Sequence, residues 1–154
     1  MARLADIPLG EREMMMGLDC SGFEGRRPWV TGPKLPERRV ALLSTAALNL
    51  RRDAVFLPNE ANYRVIPGDV APGEVVMSHG SANFDHTGFQ QDLNVCFPIQ
   101  RLQELAAHGV IGSVSNFHFT VSGGRSPLEL EDATRDMARI LKADGVDTVF
   151  LVPI

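Results

Sequence analysis

Cysteine is scarce in this sequence: of 154 residues only Cys20 and Cys96 carry a thiol, too far apart for a C-x-x-C pair. That excludes a zinc-ribbon framework and fits a reducing compartment. A surplus of positive charge is missing too. Lys and Arg number 15 against 19 Asp and Glu, a net charge of −4, so the chain offers no field to nucleic acid or anionic lipid. No apolar run approaches roughly 18 residues, and the N-terminus lacks the basic-then-apolar order of a signal peptide. The expectation is a soluble, cytoplasmic protein with small-molecule or protein partners. Aromatics make up 6% of the residues, yet 44% are apolar. A chain of roughly 150 residues buries about 68–70% of its unfolded surface, enough for one core without metal or disulfide support.

Residues 1–37 are interrupted so often by proline and glycine, from Pro8 and Gly10 to Pro33 and Pro36, that the pattern predicts an extended, irregular arm. Trp29 is a candidate anchor for it, and Met14-Met15-Met16 a candidate contact surface. Residues 38–154 read as an α/β domain. Short apolar or alternating runs predict strands over 40–43, 63–66, 74–77, 111–121 and 148–152. Pro98 opens a helix whose Ile99, Leu102 and Ala106 share a face and which Gly109 ends. Ser126 and Glu129, with Pro127 between them, form a capping-box pattern before Leu130, Ala133, Met137, Ile140 and Leu141, and Gly145 closes that helix. Helices between strands argue for an open, mostly parallel sheet of about five strands with flanking helices, layered in Rossmann-like or flavodoxin-like fashion.

Ligands of such sheets bind at the carboxyl ends of the strands. The densest polar cluster lies there: Ser78-His79-Gly80-Ser81-Ala82-Asn83-Phe84-Asp85-His86, followed by Asp92 and Asn94. An imidazole in that position titrates near neutrality and a carboxylate can orient it, so His79 is the candidate acid or base and Asp85 its orienting partner. Thr45, Ser78, Asn83 and Asn94 are candidate rim residues. A plainer reading has Asp85, Asp92 and Asn94 satisfying backbone donors and capping the next helix. His79, Asp85, His86 and Asp92 are metal-ligating types, but their spacing fits no metal motif, and no metal is expected. His118, on the polar face of its strand, reads as a half-buried structural histidine. Gly123 and Gly124 open a helix in this reading, so their free N–H groups can hold a carboxylate with help from Arg125; a tight turn needing positive φ explains them equally well. Neither cysteine reads as a nucleophile: Cys96 sits between Val95 and Phe97, and Cys20 lies beside the charge of Asp19.

The run Ser78-His79-Gly80, Asn83-Phe84-Asp85, then Asp92-Leu93-Asn94-Val95-Cys96-Phe97-Pro98-Ile99-Gln100-Arg101-Leu102 and Gly109-Val110-Ile111-Gly112 resembles the selenoprotein B family of glycine, sarcosine, betaine and D-proline reductases. The likeness continues through Leu141-Lys142-Ala143-Asp144-Gly145-Val146-Asp147 and, more weakly, back to Pro28-Trp29 and Arg39-Val40-Ala41-Leu42-Leu43. It implies a subunit of an oligomeric reductase that cleaves a C–N bond of a small amino-acid-like or betaine-like substrate, with a selenol attacking the substrate. Further reductase subunits and a thiol or dithiol electron donor are implied as partners. The family's reactive residue stands in a selenocysteine-x-x-cysteine motif just after the strand matching 148–152. The chain as given carries no cofactor on this reading; selenocysteine is expected downstream. Since selenocysteine is encoded by UGA, the expectation is a UGA codon after Ile154, an incomplete domain, and no turnover from these 154 residues alone. The rival expectation is a catalytically silent small-molecule-binding or scaffold subunit of a larger complex.

Overall fold

The computed structural model describes residues 3–17, 19, 22, 25, 30–58, 60–80 and 85–154. Cys20, Trp29, Ser81, Ala82 and Asn83 lie outside the described residues. In the stretch expected to be irregular, α1 (Leu9–Met16) forms two turns and buries none of its residues. Its helix-favouring Glu, Arg and Met residues outweigh Gly10, whose cost is about 1 kcal/mol, between Pro8 at one end and Gly17 at the other.

The domain follows as β1 (Arg39–Ser44), β2 (Leu48–Leu50), β3 (Tyr63–Pro67), β4 (Val75–Met77), α2 (Thr87–Gln91), α3 (Ile99–Ala107), β5 (Ser113–Val114), β6 (Phe117–Val121), α4 (Glu131–Ala143) and β7 (Thr148–Val152). β1 is the hub of a five-stranded sheet: it runs parallel to β5, β6 and β7, while β3 lies antiparallel on β6. Successive residues of a strand direct their backbone groups to opposite edges. The even-numbered Arg38, Val40 and Leu42 bond to the 112–118 segment, and the odd-numbered Arg39 and Thr45 bond to the segment of β7. β5 and β6 therefore share one edge of β1, and β7 takes the other.

Three expectations change. The strand expected over 111–121 is broken, because the pairing offset grows by two residues between Arg39↔Ser113 and Leu43↔Phe119. At the break, the Leu42 N–H donates to His118 Nδ1 (2.9 Å) in place of a strand carbonyl. The strand at 74–77 is not in the main sheet; β4 pairs antiparallel with β2, a three-residue strand that periodicity does not reveal. The helix expected directly after Ser126 begins only at Glu131, since the Ser126 N–H to Glu129 Oε2 bond (3.2 Å) closes a separate turn ahead of it. Gly109 and Gly145 do follow the two long helices at φ +70° and +72°, as their positions predict.

Alternation along the strands divides the core. Val40, Leu42 and Ile66 pack with Phe97, Ile99 and Leu102 on the α3 side. Leu43, Phe119 and Val121 pack with Met137, Ile140 and Leu141 on the α4 side. Phe97 and Phe119 are the largest fully buried side chains, each contributing roughly 1.5–3 kcal/mol. At the amino end of the sheet Arg39 donates to Asp144 Oδ2 (2.8 Å), the Asp144 carbonyl (2.6 Å) and the Val114 carbonyl (2.8 Å). Asp144 also accepts from Ser115 Oγ (2.8 Å) and from the backbone (2.9 Å) and side chain (2.7 Å) of Asn116. Burial opposes its ionisation, but these donors prevail and hold its pKa at about 2. Among the described residues no helix is long and apolar enough to cross a membrane.

Candidate functional site

The parallel strands bring their carboxyl ends together, which places Thr45, Ser122 to Gly124 and Ile154 on one rim. Thr45 continues β1: its N–H donates to the Val152 carbonyl (3.2 Å), and its carbonyl accepts from Gly123 N–H (3.2 Å). Its hydroxyl accepts from Ile154 N–H (2.8 Å) and lies 3.2 Å from the Ile154 carbonyl oxygen. Thr45 thus holds the end of β7 rather than open space. Gly123 uses its N–H within the fold, Gly124 takes φ +76°, and α4 begins seven residues later, so this loop does not open the helix and the tight-turn reading describes its geometry. Beside the loop, a cavity of about 590 Å³ is walled by Pro127, Leu128 and Leu130 and includes Arg125, but not Thr45, Ser78 or His79.

β4 delivers Ser78 to the same rim. The Ser78 N–H donates to the Ala47 carbonyl (2.9 Å), and the Ala47 N–H donates to Val121 (3.1 Å). Ala47 adopts φ +51°, a left-handed conformation that turns the chain sharply from β1 into β2. The Ser78 hydroxyl donates to Asn49 Oδ1 in a short bond, and Asn49 Nδ2 donates to the Leu50 carbonyl (2.9 Å). Asn49 is 1% exposed. It escaped the sequence reading, although an asparagine between Leu48 and Leu50 is the signal of a buried polar group with assigned partners.

His79 is half-buried, its ring 6.3 Å from that of His86 and nearly perpendicular to it. Burial, and then the neighbouring His86, pull its pKa below the ordinary histidine value and favour its neutral form. Asp85, the expected orienting partner, accepts from the Thr87 N–H (2.9 Å) at the start of α2, and bonds from Thr87 keep its pKa below the ordinary carboxylate value. Asp92 accepts from Asn94 N–H (2.9 Å), while Asn94 donates to Gln100 (2.7 Å) and accepts from its N–H (3.2 Å). These contacts are the capping tasks of the plainer reading. Among the described residues no three His, Cys, Asp or Glu side chains converge on a metal position.

His118 is fully buried rather than half-buried, packed edge-to-face on Phe97 at 5.9 Å. Cys96 is buried as well; loss of hydration pushes its thiol up to about 11, which leaves it a packing residue.

A family model of the glycine/sarcosine/betaine reductase selenoprotein B matches residues 64–153. The chain belongs to the glycine/sarcosine/betaine reductase selenoprotein B family. The D-proline reductase subunit gamma of Acetoanaerobium sticklandii is 34% identical over 121 residues, covering 77% of this chain and 49% of that protein. The chain therefore spans about half the length of this curated relative. No solved structure matches it. The selenoprotein B match runs from β3 to just beyond β7, taking in Ser78, His79 and the Gly123-Gly124 loop, whereas Thr45 and Asn49 stand before it.

Proposed function

We propose that this chain supplies the substrate-facing α/β body of a cytoplasmic, multi-subunit reductase that cleaves a C–N bond of a small amino-acid-like or betaine-like molecule. The observation that carries the reading is the family match over 64–153, which spans the segments bearing Ser78 and His79 at the carboxyl rim. In this reaction the C–N bond breaks, the carbon and the nitrogen each gain a hydrogen, and a dithiol donor becomes a disulfide. His79 is the group to move the proton: burial favours its neutral form, which takes a proton from the donor thiol as it is oxidised and passes it to the departing nitrogen. Ser78 lies on the substrate side. Cys96, with its thiol held at about 11, is not the nucleophile. The selenol or thiol that attacks the substrate is presented at the rim where Thr45 holds Ile154.

The test is reconstitution. The 154-residue chain with dithiothreitol should release no amine from glycine, sarcosine, glycine betaine or D-proline. The chain extended through the codons that follow Ile154, supplied with its companion subunits, should turn over at least one of them, and His79→Gln should slow that turnover at least tenfold. Turnover by the short chain alone, or extended complexes that bind these substrates without reducing them, would overturn the reading; the latter result describes a silent binding subunit.

A further inference from the structure

The amide of Asn49 is fixed at both ends. Its Nδ2 faces a carbonyl oxygen, that of Leu50 at 2.9 Å, which only a donor can satisfy, so Oδ1 is the atom turned to Ser78. An amide oxygen only accepts. The proton on the Ser78 hydroxyl is therefore committed to Asn49, and at 1% exposure Asn49 has no solvent route to another arrangement. What Ser78 has left is its two lone pairs, on a residue that is half-exposed at the rim. A hydroxyl free to rotate serves donors and acceptors alike, but one locked in this way serves donors only. Burial favours the neutral form of its neighbour His79, which lessens repulsion of a cationic group.

We propose that Asn49 is a positioning residue that makes Ser78 a dedicated hydrogen-bond acceptor, so that this rim takes a ligand whose nitrogen carries N–H, a primary or secondary amino acid, in preference to a quaternary ammonium. The proposal rests on the reductase reading and narrows its substrate class. Glycine, sarcosine and D-proline each present an ammonium N–H to Ser78; glycine betaine presents only methyl groups. A hydrogen bond to a charged partner is strong enough that its loss weakens binding about tenfold or more.

Calorimetric titration of the 154-residue chain with these four compounds tests it. The native chain should bind sarcosine and D-proline more tightly than glycine betaine. Ser78→Ala should weaken the N–H-bearing ligands about tenfold and leave betaine within about twofold. Asn49→Ala frees the Ser78 proton, so the preference for N–H ligands should shrink even where overall affinity survives, a readout that mere loosening of the fold does not produce. Should Asn49→Ala fail to fold, Ser78→Ala at its half-exposed position decides alone. Equal weakening of all four ligands, no weakening of any, or a native chain that prefers betaine overturns the proposal and leaves the reductase reading standing. If none of the four binds, the proposal falls; if the reconstituted complex is inactive as well, the reductase reading falls with it.

Discussion

His118 stands where a strand carbonyl would ordinarily accept a hydrogen bond, and its ring nitrogen takes the Leu42 N–H across a separation of 76 positions. Burial, offset only in part by the Asp144 carboxylate and reinforced by Arg39, depresses its pKa from 6.5 to about 4. The sign follows from proton counting. Below pH 6.5 the unfolded chain protonates this histidine while the native fold refuses the proton down to about 4, so the unfolded state gains and stability falls across that window. The shift corresponds to roughly 3 kcal/mol. Urea denaturation at pH 7 and pH 5 should show a marked loss for the native chain and a distinctly smaller one for His118→Gln, whose other titrating groups are the same; equal losses would refute the assignment. Alternation put His118 on the face opposite Phe119 and Val121, but that face, expected to be polar, is packed into the core. Its complete burial was hidden because the residues that cover it, Phe97 and the backbone of β1, come from distant segments. Asn49 was hidden for the same reason: its partner Ser78 lies 29 positions away.

At the scale of elements, continuous apolar runs and helix-ending glycines were easy to read, so β1, β7, α3 and the body of α4 stand where expected. What local pattern does not contain is which strand pairs with which. The short β2 and the break between β5 and β6 are consequences of pairing, and the turn before α4 is a choice between two overlapping hydrogen-bond patterns. β7 shows the limit most clearly. Its register on β1 is complete from Val40↔Thr148 to Ser44↔Val152, yet Phe150 is 48% and Leu151 58% exposed, and these two side chains point to opposite faces. Among the described residues its outer edge carries no strand. An edge exposed on both faces promotes association. Phe150→Lys should raise the concentration at which the 154-residue chain begins to associate, as read by light scattering, with little change in thermal midpoint; an unchanged threshold would remove β7 as the cause.

For the molecule as a whole, the Arg39–Asp144 cluster ties the start of the central strand to the end of the last helix, 105 positions apart. Contacts of such sequence separation form only after the intervening chain has been ordered, because closing so long a loop early has a large entropic penalty. We predict that the cluster is a latch set late in folding, absent from the transition state. Asp144→Asn, which removes the charge but keeps the size, should speed unfolding several-fold while refolding changes little, visible as a shift of only one limb of the chevron. A matching fall in the refolding rate would place the latch in the nucleus instead. The ion pair at the floor of the sheet then governs how long the rim at its top persists: the lifetime of the native state, and with it the native population, depends on contacts at the end of the sheet opposite Ser78 and His79.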